Sequence, residues 1–176
     1  MADTAYISLG GNMGGEEALF AEALYHINAW EGVRVAKTSA IYRTEPQGDS
    51  NQPWFHNQVA ELSCEDLSPA MLLHMLLNLE TTLGRERDPS RRYGPRRIDL
   101  DLLLYGCIVC ASGRLTVPHP RMTTRAFVLV PLLEIAPEAA LPDGTRLAAA
   151  LDSLEYHVAT GVIHQNERSE NNGKSK

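Results

Sequence analysis

Residues 98 to 105, Ile-Asp-Leu-Asp-Leu-Leu-Leu-Tyr, constrain this chain more than any other stretch. Apolar and polar residues alternate there with the period of a pleated strand. Ile98, Leu100, Leu102 and Leu104 are expected on one face, with Asp99, Asp101, Leu103 and Tyr105 on the other. Two carboxylates at i and i+2 then point the same way, with Cα atoms roughly 6.5 Å apart. Just upstream, residues 84 to 97 place six arginines (Arg85, Arg87, Arg91, Arg92, Arg96 and Arg97) around Asp88-Pro89-Ser90 and Gly94-Pro95. That density of Gly and Pro makes a loop, because Pro donates no amide and Gly resists regular structure. Oxygen ligands for hard cations beside guanidinium forks for phosphate oxygens suggest a metal–nucleotide site. The plainer alternative is the solvated side of an edge strand next to a soluble loop, and spacing alone leaves the two about even.

The rest of the chain reads as alternating strands and helices. Ala5 to Leu9 is a strand, broken by Gly10-Gly11-Asn12-Met13-Gly14-Gly15 and followed by a helix from about Glu16 to Trp30. The glycine spacing fits neither dinucleotide nor phosphate-loop patterns. Val33 to Tyr42 is a second strand, residues 44 to 54 a loop, and Asn57 to Cys64 a third strand. Ser68-Pro69 is a helix start, a cap followed by Pro at the first position, and that helix runs to about Leu83. After the aspartate strand come a short hairpin, a helix over Thr124 to Ala136 interrupted by Pro131, a short helix near residues 146 to 154 and a last strand near Tyr156 to Ile163. Strand–helix–strand–strand–helix–strand is the split βαβ order, an α+β ferredoxin-like sandwich with helices on one face of the sheet. A single domain is expected over residues 1 to 164, with residues 165 to 176 a disordered polar tail.

Charge narrows the partners. The net charge is −6, yet residues 84 to 97 carry +4, leaving −10 for the remainder. A duplex binder shows a broad basic face, so one basic loop on an acidic body fits a small polyphosphate and argues against nucleic acid. No apolar run approaches the roughly 20 residues of a membrane span, and the N-terminus lacks a signal pattern, so a cytoplasmic, non-membrane protein is expected. Cys64, Cys107 and Cys110 read as small core residues rather than a disulfide or zinc set.

Arg92-x-Gly94-Pro95-Arg96-x-x-Asp99-Leu100-Asp101-Leu102-Leu103 resembles the signature of the 6-hydroxymethyl-7,8-dihydropterin pyrophosphokinases of folate biosynthesis. Tyr42-Arg43-Thr44, Phe55-x-Asn57, Glu80 with Gly84-Arg85-x-Arg87, and Leu115-Thr116-Val117-Pro118-His119 with Arg125-x-Phe127 follow in the family's order. The resemblance spans about residues 4 to 155 and agrees with the ferredoxin-like expectation. It implies that the hydroxymethyl group of the reduced pterin attacks the β-phosphorus of the co-substrate ATP and that AMP leaves.

Under that resemblance Asp99 and Asp101 hold two Mg2+ ions, and Arg85 and Arg96 contact the transferring phosphates. Glu80, Arg87, Arg96, Leu102, Thr116, His119 and Arg125 match nucleotide positions. Thr44, Phe55, Asn57, Tyr93 and Phe127 match the pterin slot, where aromatic faces and an amide suit a flat ring with a donor–acceptor edge. A monomer acting on these two small molecules is expected. The chain departs from the family at Gly11, usually Ser; at Leu77, commonly Gln; at Glu45 and Gln47, in place of Pro and Leu; at Tyr93, often Trp; and at Pro120, often Tyr. Arg91 and Arg92 are ambiguous, because the arginine loop is one residue long. Two other classes share parts of this pattern. A ferredoxin-like RNA-binding module needs a basic sheet face with stacking aromatics, and a palm-type nucleotidyltransferase needs a further strand carboxylate; neither is marked in the sequence.

Overall fold

The computed structural model describes residues 2–46, 51–86 and 94–165. Arg87, Tyr93, Arg91, Arg92 and Gln47 lie outside the described residues, as do residues 166 to 176. The centre is an antiparallel sheet in which β1 (Asp3–Gly11) pairs with β4 (Phe55–Cys64) on one side and with β5 (Asp99–Tyr105) on the other. The far side of β4 is shared by β2 (Val33–Thr38) and β3 (Tyr42–Thr44). With α1 (Glu16–Asn28) after β1 and α2 (Pro69–Thr82) after β4, this is the split βαβ arrangement that the order of elements predicts.

Helices cover both faces rather than one. Phe20, Ala23 and Ile27 of α1 and Leu72, Leu76 and Leu79 of α2 pack against Ile7, Leu9, Leu62, Leu100 and Leu102 on one side. On the other, α3 (Ala126–Ile135) and α4 (Leu147–Asp152) cover Val59, Leu103 and Leu104. Strand β4 shows why: Asn57 to Ala60 are buried in succession, as in a strand covered on both faces. Helix α2 starts as expected, with Ser68 Oγ accepting from Met71 N at 3.2 Å and Pro69 in the first turn.

Of the three cysteines only Cys64 is buried, Cys107 being exposed and Cys110 half-buried, and four further local features differ from the sequence reading. The expected strand over residues 33 to 42 is two strands, split where Ser39 exchanges bonds with Val59 and its carbonyl accepts from Gln58. Helix α3 runs through Pro131 without interruption, since one proline removes only one intrahelical bond. The chain closes in a hairpin, β8 (Tyr156–Ala159) and β9 (Val162–Gln165), turning at Thr160 and Gly161 with φ of 51° and 74°. Strand β9 pairs in parallel with β3, so Gln165 is part of the sheet and not of the polar tail.

The fourth concerns β5. Its pairing with β1 slips between Tyr6 and Ile7, giving β5 one extra residue. Ile98, Leu100 and Leu102 face α1 and α2, whereas Leu103 and Leu104 both fall in the α3 cluster and Tyr105 returns to the first. The alternation read from the sequence therefore holds through Leu103 and inverts after the bulge. The carboxylates precede it and stay together on the α3 side.

Candidate active site

Three neighbouring strands put the site together. Asn57, Gly10 and Asp99 are register partners across β4, β1 and β5. A Cβ built on Gly10 would stand 3.3 Å from Asn57 Oδ1 and 4.0 Å from Asp99 Cβ. The glycine thus leaves the floor open between the amide and the carboxylate. Asp101 follows one pleat along, opposite Ser8.

Asp99 is held by two arginines. Arg85 Nη1 donates to Oδ1 at 2.5 Å and Arg96 Nη1 to Oδ2 at 2.6 Å. Arg85 also pairs with Glu80, whose Oε1 accepts the Leu100 N–H at 2.7 Å. Helix α2 ends on Gly84 at φ +86°, and Arg85 N bonds back to Glu80 O at 2.9 Å, which turns the Arg85 side chain over the glutamate. Glu80 is 1% exposed, and in this arrangement it fastens α2 to β5 and orients Arg85.

The two aspartates differ electrostatically. Burial opposes the charge on Asp99, but Arg85 and Arg96 outweigh it and hold its carboxyl below the ordinary value. Asp101 is pushed up to about 7, first by burial and then by the charge of Asp99, with Arg125 and Arg85 offsetting part of this. Among the described residues no side chain hydrogen-bonds to Asp101, and no group of three or more Asp, Glu, His or Cys is placed to hold a metal ion.

Arg125 stands where the 3₁₀ turn Met122–Thr124 meets α3, with its guanidinium 5.4 Å from the Phe127 ring. On the opposite wall Arg96 lies 5.6 Å over Phe55. Both rings are half-buried, so neither is simply core. Asn57 Nδ2 donates to Thr44 Oγ1 at 2.7 Å, and both residues are buried. His119 N bonds to the carbonyl of Leu103 at 2.8 Å, so the β5 bulge is what tethers this histidine. Its Nδ1 accepts from Arg121 N at 3.2 Å, while burial and then the charges of Arg125 and Arg121 lower its pKa to about 4. At neutral pH it is an uncharged ring with Nε2–H as donor. Thr116 is exposed on β7 (Leu115–Val117). Leu102 is the exception: its side chain is 4% exposed in the core on the opposite face, away from the carboxylates.

One residue that sequence reasoning passed over is Asn12, 2% exposed. It exchanges two bonds with Arg96: Arg96 N donates to Oδ1 at 2.9 Å and Asn12 N to Arg96 O at 3.0 Å. Its Nδ2 donates to Gln52 Oε1 at 3.0 Å and Pro53 O at 2.9 Å. Gly11 allows this approach, since a Cβ there would stand 2.6 Å from the Arg97 carbonyl. Its signal in the sequence is a lone amide between two glycine pairs. Asn12→Ala should cost about 2–4 kcal/mol, because it removes three side-chain hydrogen bonds of a buried amide that tie two loops together. Chemical denaturation checks this; a loss under about 0.5 kcal/mol, the level of an ordinary surface change, contradicts it.

The model of the 7,8-dihydro-6-hydroxymethylpterin-pyrophosphokinase family matches residues 6–137. A Methylorubrum extorquens 2-amino-4-hydroxy-6-hydroxymethyldihydropteridine pyrophosphokinase is 44% identical over 151 residues, 86% of this chain and 93% of the relative. The Haemophilus influenzae enzyme of that name is 42% identical over 154 residues, 88% and 94% of the two chains. Among solved structures, a Plasmodium falciparum HPPK-DHPS with pteroate superposes with a TM-score of 0.69 at 12% identity. It covers 93% of this chain, which spans 47% of that longer one, and at this identity it supports the fold alone. On these matches the chain belongs to the 7,8-dihydro-6-hydroxymethylpterin-pyrophosphokinase family, the pyrophosphokinases of folate biosynthesis.

Proposed function

We propose that this chain carries out its transfer with two Mg2+ ions held by Asp99 and Asp101, moving the terminal diphosphate of ATP onto 6-hydroxymethyl-7,8-dihydropterin with release of AMP. One observation carries this reading: both carboxylates lie on the same face of β5, with Arg85, Arg96 and Arg125 converging on them. The donor set fits a hard divalent cation, which prefers carboxylate oxygen, and no described side chain hydrogen-bonds to Asp101, so its oxygens are open to one. Magnesium bound there would neutralise charge on the phosphate oxygens.

The protein's own groups do the rest. Such a transfer needs positioning and charge stabilisation more than covalent help. Arg85 and Arg96, now on Asp99, are the guanidinium forks that would turn to the transferring phosphates. Arg125 adds a third cation, and His119 offers a neutral N–H to the nucleotide. On the other side Thr44 and Asn57 present polar groups to the pterin edge, and Phe55 and Phe127 present ring faces. Nucleotide analysis of a reaction with ATP, magnesium and the pterin tests this. AMP and the pterin diphosphate should appear in equal amounts; ADP would mean a single phosphoryl transfer and contradict it.

A further inference from the structure

The last residue of β9 reaches the site through a route the family motifs do not contain. Strand β9 lies in parallel beside β3, with Val162 and Ile163 opposite Arg43 and Thr44. Ile163 is buried in the α3 cluster, and Gln165, two residues on, shares its face. Its carboxamide makes two hydrogen bonds. Oε1 accepts from Ala126 N at 2.7 Å, and Nε2 donates to Thr124 O at 2.8 Å.

Those two partners flank Arg125. Thr124 ends the 3₁₀ turn, and Ala126 opens α3. Helix ends leave backbone donors and acceptors without intrahelical partners. Arg125 bridges the two ends with an extended backbone (φ −121°, ψ 104°) and gives α3 no side-chain cap. The cap comes instead from Gln165, 39 residues away. Only a carboxamide supplies a donor and an acceptor at such a spacing, so Asp, Glu or an apolar side chain cannot replace both bonds. Fixing the peptide groups on either side of one residue fixes the direction of its Cα–Cβ bond. The Arg125 guanidinium therefore stands over Phe127 from a backbone clamped by β9.

We propose that Gln165 is a positioning residue for the nucleotide: its carboxamide sets the place from which Arg125 reaches the triphosphate. This rests on the reading of Arg125 as a nucleotide contact. Gln165 itself touches no substrate in this account.

Binding of an ATP analogue with a methylene group between the α- and β-phosphorus, measured by titration calorimetry with magnesium, provides the test. Gln165→Met keeps the length and removes both hydrogen bonds. It should weaken binding about fivefold in the native background. In the Arg125→Ala background the same change should cost less than about twofold, because the residue it acts through is gone. A purely structural role would give the same loss in both backgrounds, and that result overturns the proposal, as does no loss in the native background. Thermal melts run in parallel. If Gln165→Met does not fold, Gln165→Glu, which keeps the acceptor and loses the donor, must show the same dependence on Arg125. An unmodified protein that does not bind the analogue overturns the nucleotide reading and this proposal together. Binding that is equally tight in Gln165→Met overturns only the role of Gln165.

Discussion

Asp101→Asn is expected to lower turnover by at least about two orders of magnitude, roughly 2.7 kcal/mol of transition-state stabilisation, and yet to raise the stability of the metal-free protein. The amide keeps the shape of the side chain and loses the charge a cation requires. The stability gain follows from the carboxyl's pKa, raised from 3.8 to about 7 by burial and by Asp99. A group whose pKa is higher folded than unfolded stabilises fully below its ordinary value, and that contribution is lost as pH rises through the folded value. Native protein and Asp101→Asn should therefore melt alike near pH 4. By pH 8 the mutant should be the more stable, with an upper bound of about 4 kcal/mol at 1.36 kcal/mol per unit. Asp101 is only half-buried, which keeps the gain under that bound. Asp99→Asn should lose turnover as severely but move stability the other way. Its carboxylate is paired to Arg85 and Arg96 and is 18% exposed, and breaking such pairs costs about 3 kcal/mol. Since this carboxyl is held low, the stability it provides is present above its ordinary value and fades as pH falls. Melts at pH 8 that shift the same way in both mutants would contradict this.

Arg85→Ala carries the second large effect. The guanidinium spans Glu80 and Asp99, so its removal leaves two acids facing each other across a site whose glutamate is 1% exposed. A stability loss of about 3 kcal/mol is expected from the broken pairs. Turnover should fall by about 10²–10³, the usual cost of deleting one preorganised donor to developing charge. Arg85→Lys keeps the charge but not the fork, and should recover more of the stability than of the turnover. Steady-state kinetics beside urea denaturation would show this. Turnover within tenfold of native in Arg85→Ala would place the arginine outside the chemistry.

The parts of this molecule that sequence made legible are those governed by local period and by spaced motifs. Alternation over residues 98 to 103 put Asp99 and Asp101 on one face, Ser68-Pro69 marked the start of α2, and the order of elements led to the split βαβ sheet. What it missed depends on contacts between distant segments. An extra residue in β5 leaves no mark on the alternation, so the inversion at Leu104 was invisible, as was the carbonyl of Leu103 that anchors His119. Strand period alone also makes the two aspartates equivalent. Their opposite electrostatics arise because Arg85 and Arg96 converge on one of them. Gln165 reads as tail by composition, and only its pairing beside β3 turns it into a cap for α3. Asn12 likewise binds residues 40 and 84 positions away.

The most direct test of the site is a count of bound metal. Manganese, a spectroscopically visible substitute for magnesium, can be titrated into the protein with the methylene ATP analogue and the pterin, and free and bound ions separated by electron paramagnetic resonance. Two ions per chain are expected in the native protein and fewer than two in Asp99→Asn and in Asp101→Asn, each variant remaining folded by its melt. Two tightly bound ions in both variants would leave the aspartates as one polar face of a strand and contradict the account.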